Sequence, residues 1–341
     1  MTLPGIAWSR ALRADEQVLF VPGTARWLDN RQLEVDIHAW VHEREHRRGA
    51  RSLFARYLGL DLAAMDAADR ARFDQRCALF LTDSERRKVV DMAFDLPLNL
   101  SLSLPATNAS GRTGARVALD ATALAPDTAT VYFHAVLGEG DERSFAGHAI
   151  VVPAEGLSVI SDIDDTIKVT NVLDRREMLL NTFARPFEAT AGMPAHFQRL
   201  ATQPGTRFHY LSASPIQLAP ALKTFLRDAA FPPGSLHLRE STHWRTLVPG
   251  NGASREHKLG VIAQLLADFP LRRFLLVGDS GEADPEIYAQ VAREHPMRIE
   301  GIVIRDVRDE GRSAPRFAQT FDGLPAALWH VLPSSGEPWP L

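Results

Sequence analysis

Up to about residue 152, apolar and polar residues mostly alternate along the chain. In QLEVDIHAWV, Leu33, Val35, Ile37, Ala39 and Val41 fall on one side and Glu34, Asp36 and His38 on the other. That is the pattern of a half-buried strand. LPLNLSLSLP repeats it with Leu98, Leu100, Leu102 and Leu104. Further strands are expected in VLFVPG (18–23), ARVALDA (115–121), TATVYFHAVLG (128–138) and FAGHAIVVP (145–153), with turn-rich pieces such as TNASGRTG and GEGDER between them. Many short strands joined by turns suggest an antiparallel sandwich. Residues 50–77 break the rhythm, because their apolar positions fall at helical spacing. One or two helices inserted into the sandwich are expected there.

After Pro153 the pattern changes to apolar strands alternating with amphipathic helices, the mark of a parallel α/β sheet. Strands are expected at 157–162, 207–212, 235–239, 272–278 and 298–304, and helices near 174–184, 193–201, 216–229, 255–267 and 285–294. The chain therefore divides into a β-rich domain over 1–152, carrying the helical insertion, and an α/β domain over 153–341. In open parallel sheets ligands bind beyond the carboxyl ends of the strands, and the polar residues of this half fall at those ends.

The first such end is LSVISDIDDTIK (157–168), where an apolar run delivers Asp162 and Asp164. Strand residues two apart share a face, so the two carboxylates are expected on one side. Such a pair calls for a cation, a shared proton or a mechanism that uses both. The second strand runs into Ser212-Ala213-Ser214-Pro215, where Ser214 reads as an N-cap for a helix over 216–229. Ser212 stands where it could donate to a phosphate oxygen, and the helix start suits an anion. Lys258 is expected in the first turn of a helix that Ser254 caps, a position that favours a nearby negative group. The fourth strand ends Val277-Gly278-Asp279-Ser280-Gly281-Glu282-Ala283-Asp284-Pro285. Asp279 is favoured there as a metal ligand, while Asp284 is an N-cap, a holder of metal-bound water, or a residue that orients Lys258. Arg239, at another strand end, is a candidate phosphate contact, with a surface salt bridge as the alternative.

Three carboxylates without a histidine point to Mg²⁺ rather than Zn²⁺. A hard cation beside an anion-sized pocket points to phosphoryl transfer. Asp162 would attack phosphorus, and Asp164 would protonate the leaving oxygen and then take a proton from water.

Composition narrows the setting. Of 341 residues 45% are hydrophobic and 23% charged, as in a folded globular protein, and the net charge of −4 argues against a nucleic-acid binder held by bulk charge. No apolar run reaches the ~18 residues of a spanning helix, and no leader pattern is evident, so a cytoplasmic protein is expected. The single cysteine, Cys77, closes no internal disulfide and reads as buried filler. Lysine occurs only at 88, 168, 223 and 258, so a lysine at a chemically meaningful spacing carries weight.

Asp162-Ile163-Asp164-Asp165-Thr166, Ser212, Lys258 and Gly278-Asp279 with Asp284 resemble the four ordered motifs of the haloacid dehalogenase-like phosphohydrolase superfamily. The resemblance implies a Rossmann-like parallel sheet with a minimal cap. It makes Asp162 the nucleophile and Asp164 the acid/base, with Mg²⁺ held by Asp162, the backbone carbonyl of Asp164 and Asp279 or Asp284. Thr166, Ala213 and Ser214 become phosphate contacts. SDIDDTIKVTNVLDRREMLLNTF, GMP, FHYLSASP and HKLGVI resemble, over about 153–305, the catalytic domain of the actin-patch-associated phosphatidate phosphatases and their bacterial relatives. The substrate implied is phosphatidate at a membrane surface, giving diacylglycerol, with peripheral membrane attachment and no transmembrane segment. Asp165 replaces the glycine common in the superfamily. Arg175 to Phe187 mixes basic and apolar side chains and forms either a membrane-facing lid or an ordinary packed helix. The alternatives are a phosphatase of soluble phosphomonoesters or phosphoproteins, and a non-catalytic adaptor. The partner of the N-terminal domain is left open.

Overall fold

The computed structural model describes residues 11–44, 49–240 and 251–333. They fall into two compact units. One comprises Met1–His46 and Leu81–Val152, the other Arg47–Phe80 and Pro153–Leu341.

Among its described residues the first unit contains nine strands: β1 (Glu16–Val21), β2 (Gly23–Trp27), β3 (Gln32–Arg44), β4 (Thr82–Ser84), β5 (Asp91–Phe94), β6 (Ser101–Ser103), β7 (Arg112–Asp120), β8 (Thr130–Ala135) and β9 (Ala146–Val152). The expectation of two stacked antiparallel sheets is corrected in form. All nine strands belong to one hydrogen-bonded network, and β2 and β9 run parallel. The connector is β3, long enough to pair with β1 and β2 along one edge and with β7 and β4 along the other. Its alternation is the expected one, since Leu33, Val35, Ile37, Ala39 and Val41 are all buried in a single core with Met92, Phe94, Val131 and Phe133. LPLNLSLSLP departs from expectation. Only Ser101–Ser103 form a strand, because the chain turns at Asp95–Leu100, where Leu98 N–H reaches Asp95 O and Phe94 N–H reaches Leu100 O. Asn99 supplies the left-handed residue of that turn.

The insertion is helical as its spacing indicates, with α1 (Ala50–Leu58) and α2 (Ala67–Ala78). It belongs to the second unit, however, because its apolar face, Phe54, Phe73 and Phe80, packs on Phe183. Cys77 is buried and free, and burial pushes its thiol up to about 12.

From Pro153 onward the order is β10 (Leu157–Asp162), α3 (Arg175–Phe183), α4 (Met193–Ala201), β11 (Arg207–Pro215), α5 (Ala219–Asp228), β12 (Gly234–Arg239), α6 (Asn251–Asp268), β13 (Arg273–Asp279), α7 (Asp284–Glu294), β14 (Ile299–Asp306), α8 (Pro315–Thr320) and β15 (Trp329–Pro333). The six strands are all parallel in the order β12-β11-β10-β13-β14-β15, a doubly wound arrangement. β15 and α8 are additions to the expected set. The strands are apolar almost throughout, as a sheet covered on both faces requires: Val159, Ile160, Leu275, Leu276, Val303 and Ile304 are all buried. The order reverses between β10 and β13, whose carboxyl ends carry Asp162 and Asp279. That switch point is where an open parallel sheet forms its crevice.

At the opposite end of the strands, Arg272 is fully buried. It donates to Ser158 Oγ (2.8 Å), Pro153 O (2.9 Å) and Gly205 O (2.8 Å), and also to Glu155 O and Leu157 O. One guanidinium thereby satisfies carbonyls from the loops entering β10 and β11. Arg272→Ala is expected to lower the stability of the second unit by about 3 kcal/mol or more, because buried carbonyls lose a charged donor. The denaturant midpoint of that unit checks this, and Arg272→Lys should recover less than half.

Candidate active site

Asp162 is the last residue of β10 and only 1% exposed. Its Oδ1 lies 2.7 Å from Lys258 Nζ, and its Oδ2 accepts from Thr166 Oγ1 at 3.2 Å. Lys258 itself is buried, with Glu282 Oε2 at 3.0 Å and Asp284 Oδ1 at 2.5 Å from the same ammonium. Three carboxylates thus converge on one cation. Lys258 is not in a first turn, as the sequence suggested. The described part of α6 begins at Asn251, so Ser254 lies inside the helix and Lys258 projects from about its third turn. Its charge is matched by side chains, not by a cap.

Asp284 also departs from the capping role. Ala283 holds the N-cap position, while Asp284 is fully buried in the first turn of α7. Its second oxygen accepts from Asp279 N–H at 3.3 Å. Gly278 is what admits it: a Cβ there would collide with the Asp284 carboxylate. The glycine makes room for a protein carboxylate rather than for a ligand.

Asp279 ends β13 fully buried, its Oδ1 accepting from Gly281 N–H (2.6 Å) and Glu282 N–H (3.3 Å) and its Oδ2 from Thr166 Oγ1 (3.4 Å). Thr166 therefore stands between Asp162 and Asp279. Burial, followed by the charges of Asp284, Glu282 and Asp279, pushes the Asp162 carboxyl well above its usual range despite Lys258. Burial and Asp284 do the same to Asp279, and burial with Glu282 raises Asp284. Burial would lower Lys258, but its carboxylates hold it well above the ordinary lysine value. The cluster carries more negative charge than its one ammonium neutralises. Single oxygens of Asp162, Glu282 and Asp284 lie within 4.8 Å of one another, gathered around the Lys258 ammonium that all three meet.

Asp164 belongs to a different environment. The strand stops at Asp162, and Asp164 opens a tight turn closed by Ile167 N–H and Lys168 N–H on Ile163 O. The shared face expected from strand alternation is therefore lost. Asp164 Oδ1 meets Lys168 Nζ (2.9 Å) and Thr170 Oγ1 (2.8 Å), while Oδ2 accepts from Ser212 Oγ (2.8 Å) and Ser214 Oγ (3.1 Å). Burial would raise this carboxyl, but Lys168 and the hydroxyls overcome it and hold it at about 2.

Ser212 and Ser214 are thus turned toward Asp164. β11 runs on through Pro215, a 3₁₀ turn follows at Ile216–Leu218, and α5 begins only at Ala219, so Ser214 caps no helix. The carboxylate has captured the hydroxyl that the sequence assigned to the backbone. Arg239 Nε donates to Ala213 O at 3.1 Å and so holds this segment from β12.

Four participants were not assigned in the sequence. Lys168 is one of only four lysines and stands four residues after Asp164, a signal that was available. Thr170 and Glu282 lay inside quoted stretches without a distinguishing pattern. Asp165 has φ +53°, the conformation glycine would adopt freely, and its carboxylate accepts from Thr170 N–H (2.8 Å), Asn171 N–H (2.7 Å) and Val172 N–H (2.6 Å). Asp tolerates the left-handed region because its side chain bonds locally, and here it orders the loop that carries Thr170.

Asp164, Ala213, Ser214 and Glu282 line a cavity of about 500 Å³. The lining includes the apolar residues Val172, Met178, Leu179, Phe183, Pro215 and Leu218 and the charged residues Glu286, Arg308 and Arg316. Arg175 and Arg176 face solvent, while Leu179 and Phe183 are buried.

Residues 157–306 match the family model described as phosphatidate phosphatase APP1, catalytic domain. Phosphatidate phosphatase APP1 of Saccharomyces cerevisiae is 40% identical over 172 residues, which cover 49% of this chain and 29% of that protein. An uncharacterized protein of Schizosaccharomyces pombe is 33% identical over 173 residues, 49% of this chain and 28% of that one. The chain thus spans under a third of the length of these curated relatives. The matched region contains every residue of the two aspartate environments described above. A solved β-glucuronidase structure from Bifidobacterium dentium covers 85% of this chain and 44% of its own at 8% identity, but its TM-score of 0.24 carries no argument.

A carboxyl that holds its proton more tightly in the folded than in the unfolded chain loses stability as pH rises above the ordinary carboxylate range. Asp162, Asp279 and Asp284 are all of this kind. In chelator, the melting temperature of the second unit is therefore expected to fall as pH rises above the ordinary carboxylate value of about 4, and Mg²⁺ should raise it more at the higher pH. Asp279→Asn should weaken both effects. Calorimetry with and without Mg²⁺ measures them. Asp164 works in the opposite sense: the stability it contributes is present above about pH 4 and lost as pH falls toward 2.

Proposed function

We propose that the chain is a Mg²⁺-dependent phosphatase acting through an aspartyl phosphate on Asp162, with phosphatidate as its substrate and diacylglycerol and phosphate as products. The carrying observation is that two aspartates two residues apart at one strand end sit in separate environments, beside a cavity with an apolar wall. The similarity of residues 157–306 to a phosphatidate phosphatase catalytic domain supports the same reading.

In this reading Asp162, Asp279 and the Asp164 carbonyl would hold Mg²⁺, with Asp284 nearby. The hard oxygen donors and the surplus negative charge fit such an ion. When bound, it supplies charge neutralisation to the phosphoryl group. Lys258 fixes one oxygen of Asp162, leaving the carboxylate oriented for attack. The bond from Asp162 oxygen to phosphorus forms as the bond to the lipid oxygen breaks, and that oxygen takes a proton from Asp164. Asp164 must first gain this proton, which the negative phosphate arriving beside it favours by raising its pKa. After the lipid leaves, Asp164 is a carboxylate held by Lys168, Thr170, Ser212 and Ser214, the form that accepts a proton from the attacking water. Water attack on phosphorus then releases phosphate and restores Asp162. The apolar lining residues Met178, Leu179, Phe183 and Leu218 give an acyl chain a surface beside the phosphate.

Asp162→Asn is expected to reduce phosphate release by about 10³-fold or more, because it removes the nucleophile. Wild-type activity should require Mg²⁺, and phosphatidate in mixed micelles should be preferred to soluble sugar phosphates and phosphopeptides. Equal rates for Asp162→Asn and wild type defeat the nucleophile assignment. A preference for the soluble set defeats the lipid assignment.

A further inference from the structure

The helical insertion touches the element that walls the cavity. Phe183, near the end of α3, is ringed by Phe54 (5.6 Å between centroids), Phe80 (5.4 Å) and Phe73 (6.4 Å), two of them edge-on. The final carbonyls of a helix have no partner within it, and α3 carries no basic residue in its own last turn to meet them. The insertion meets them instead. Arg76 Nη1 donates to Thr182 O (3.0 Å) and Arg185 O (2.8 Å), and Arg72 Nε donates to Ala184 O (3.0 Å). The Arg76 guanidinium also lies 3.7 Å from the centre of the Phe187 ring. The residues that α3 offers to the cavity, Met178, Leu179, Thr182 and Phe183, occupy the same two turns.

We propose that this insertion is the brace of the substrate cavity, and that Arg76 is a positioning residue that sets the apolar wall by capping the C-terminus of α3. A segment from the N-terminal half of the sequence thereby completes the lipid side of the site, while the phosphoryl side at Asp162 is built by residues after Pro153 alone. The wall is held by three hydrogen bonds from two arginines and by one aromatic cluster, all from α1, α2 and the turn after it. Removing Arg76 takes this donor from two carbonyls and the guanidinium from Phe187, which keeps Lys168 and Phe225, and so loosens the end of α3 that carries the wall.

This inference rests on the phosphatase reading, and the test keeps the two apart. The wild-type 341-residue chain, Arg76→Ala, Arg76→Lys and Arg72→Ala are assayed with phosphatidate in mixed micelles, dodecyl phosphate and p-nitrophenyl phosphate, alongside amide hydrogen exchange. Arg76→Ala should raise KM for the two chain-bearing substrates by about tenfold while kcat for p-nitrophenyl phosphate stays within about twofold, because wall contacts are lost and the reacting groups are not. Exchange should quicken in 178–185 and stay unchanged in β10 and β13, and Arg76→Lys should recover part of the KM. Arg72→Ala, which removes one donor, should shift KM the same way by less, and it decides the matter if Arg76→Ala fails to fold. An unchanged KM, or a loss shared equally by all three substrates, overturns the brace. If wild type hydrolyses dodecyl phosphate and not phosphatidate, the diacyl assignment falls and the brace is judged on dodecyl phosphate. If wild type hydrolyses none of the three, the phosphatase reading falls, and exchange confined to α3 still upholds the brace while its absence overturns it.

Discussion

The second unit depends on one buried ammonium. Lys258 touches Asp162 from β10, Asp284 from α7 and Glu282 from the loop between β13 and α7, so a single charge ties a strand end, a helix start and a loop to α6. Burying so many carboxylates is costly unless they are compensated, and one lysine does not suffice for four acidic groups with Asp279 included. Burial first, and then the neighbouring carboxylates, raises the carboxyls of Asp162, Asp279 and Asp284. Such a cluster is receptive to a further positive charge. Gly278 is part of the same constraint, since only a residue without a Cβ lets Asp284 reach under the end of β13.

Against that electronegative cluster stands Asp164, which has its own lysine and three hydroxyls. Without a further cation these environments place the proton on Asp162 rather than Asp164; the proposed roles need a positive charge beside Asp162 and the incoming phosphate beside Asp164 to reverse that order. Here the separation is made by backbone geometry. β10 ends at Asp162, and the following turn, ordered by Asp165 accepting from three backbone N–H groups, swings Asp164 toward Ser212 and Ser214. The proposed division into nucleophile and proton carrier rests on that turn.

Much of the α/β unit was legible because a parallel sheet buried on both faces writes itself as apolar runs, and the polar residues after each run fall at the crevice. Asp162, Asp164, Ser212 and Asp279 are brought to the crevice for that reason, and Lys258 and Asp284 reach it from α6 and α7. What escaped was set by competition between local and distant partners. Ser214 before a proline has the local form of an N-cap, but a carboxylate 50 residues earlier in the chain takes its hydroxyl. Asp284-Pro285 has the same form, and Lys258 takes its carboxylate. The position of Lys258 within its helix escaped because Ser254 has the local form of a cap, whereas the described part of α6 already runs from Asn251. In the first unit, the alternation of β3 was read correctly residue by residue, whereas LPLNLSLSLP has the same alternation and is largely a turn. Pro97 and Asn99 were the contrary signals in it. The affiliation of the insertion was invisible, because helical spacing identifies an apolar face without naming what it meets.

The central claim is that Asp162 carries the phosphoryl group. Acid-quenched enzyme in steady turnover on a phosphomonoester, digested and examined by mass spectrometry, tests it most directly. Phosphate on Asp162 in the 157–168 segment, absent in Asp162→Asn, is the expected result. Phosphate on Asp164, or steady turnover with no phosphorylated aspartate at any quench time, would contradict it.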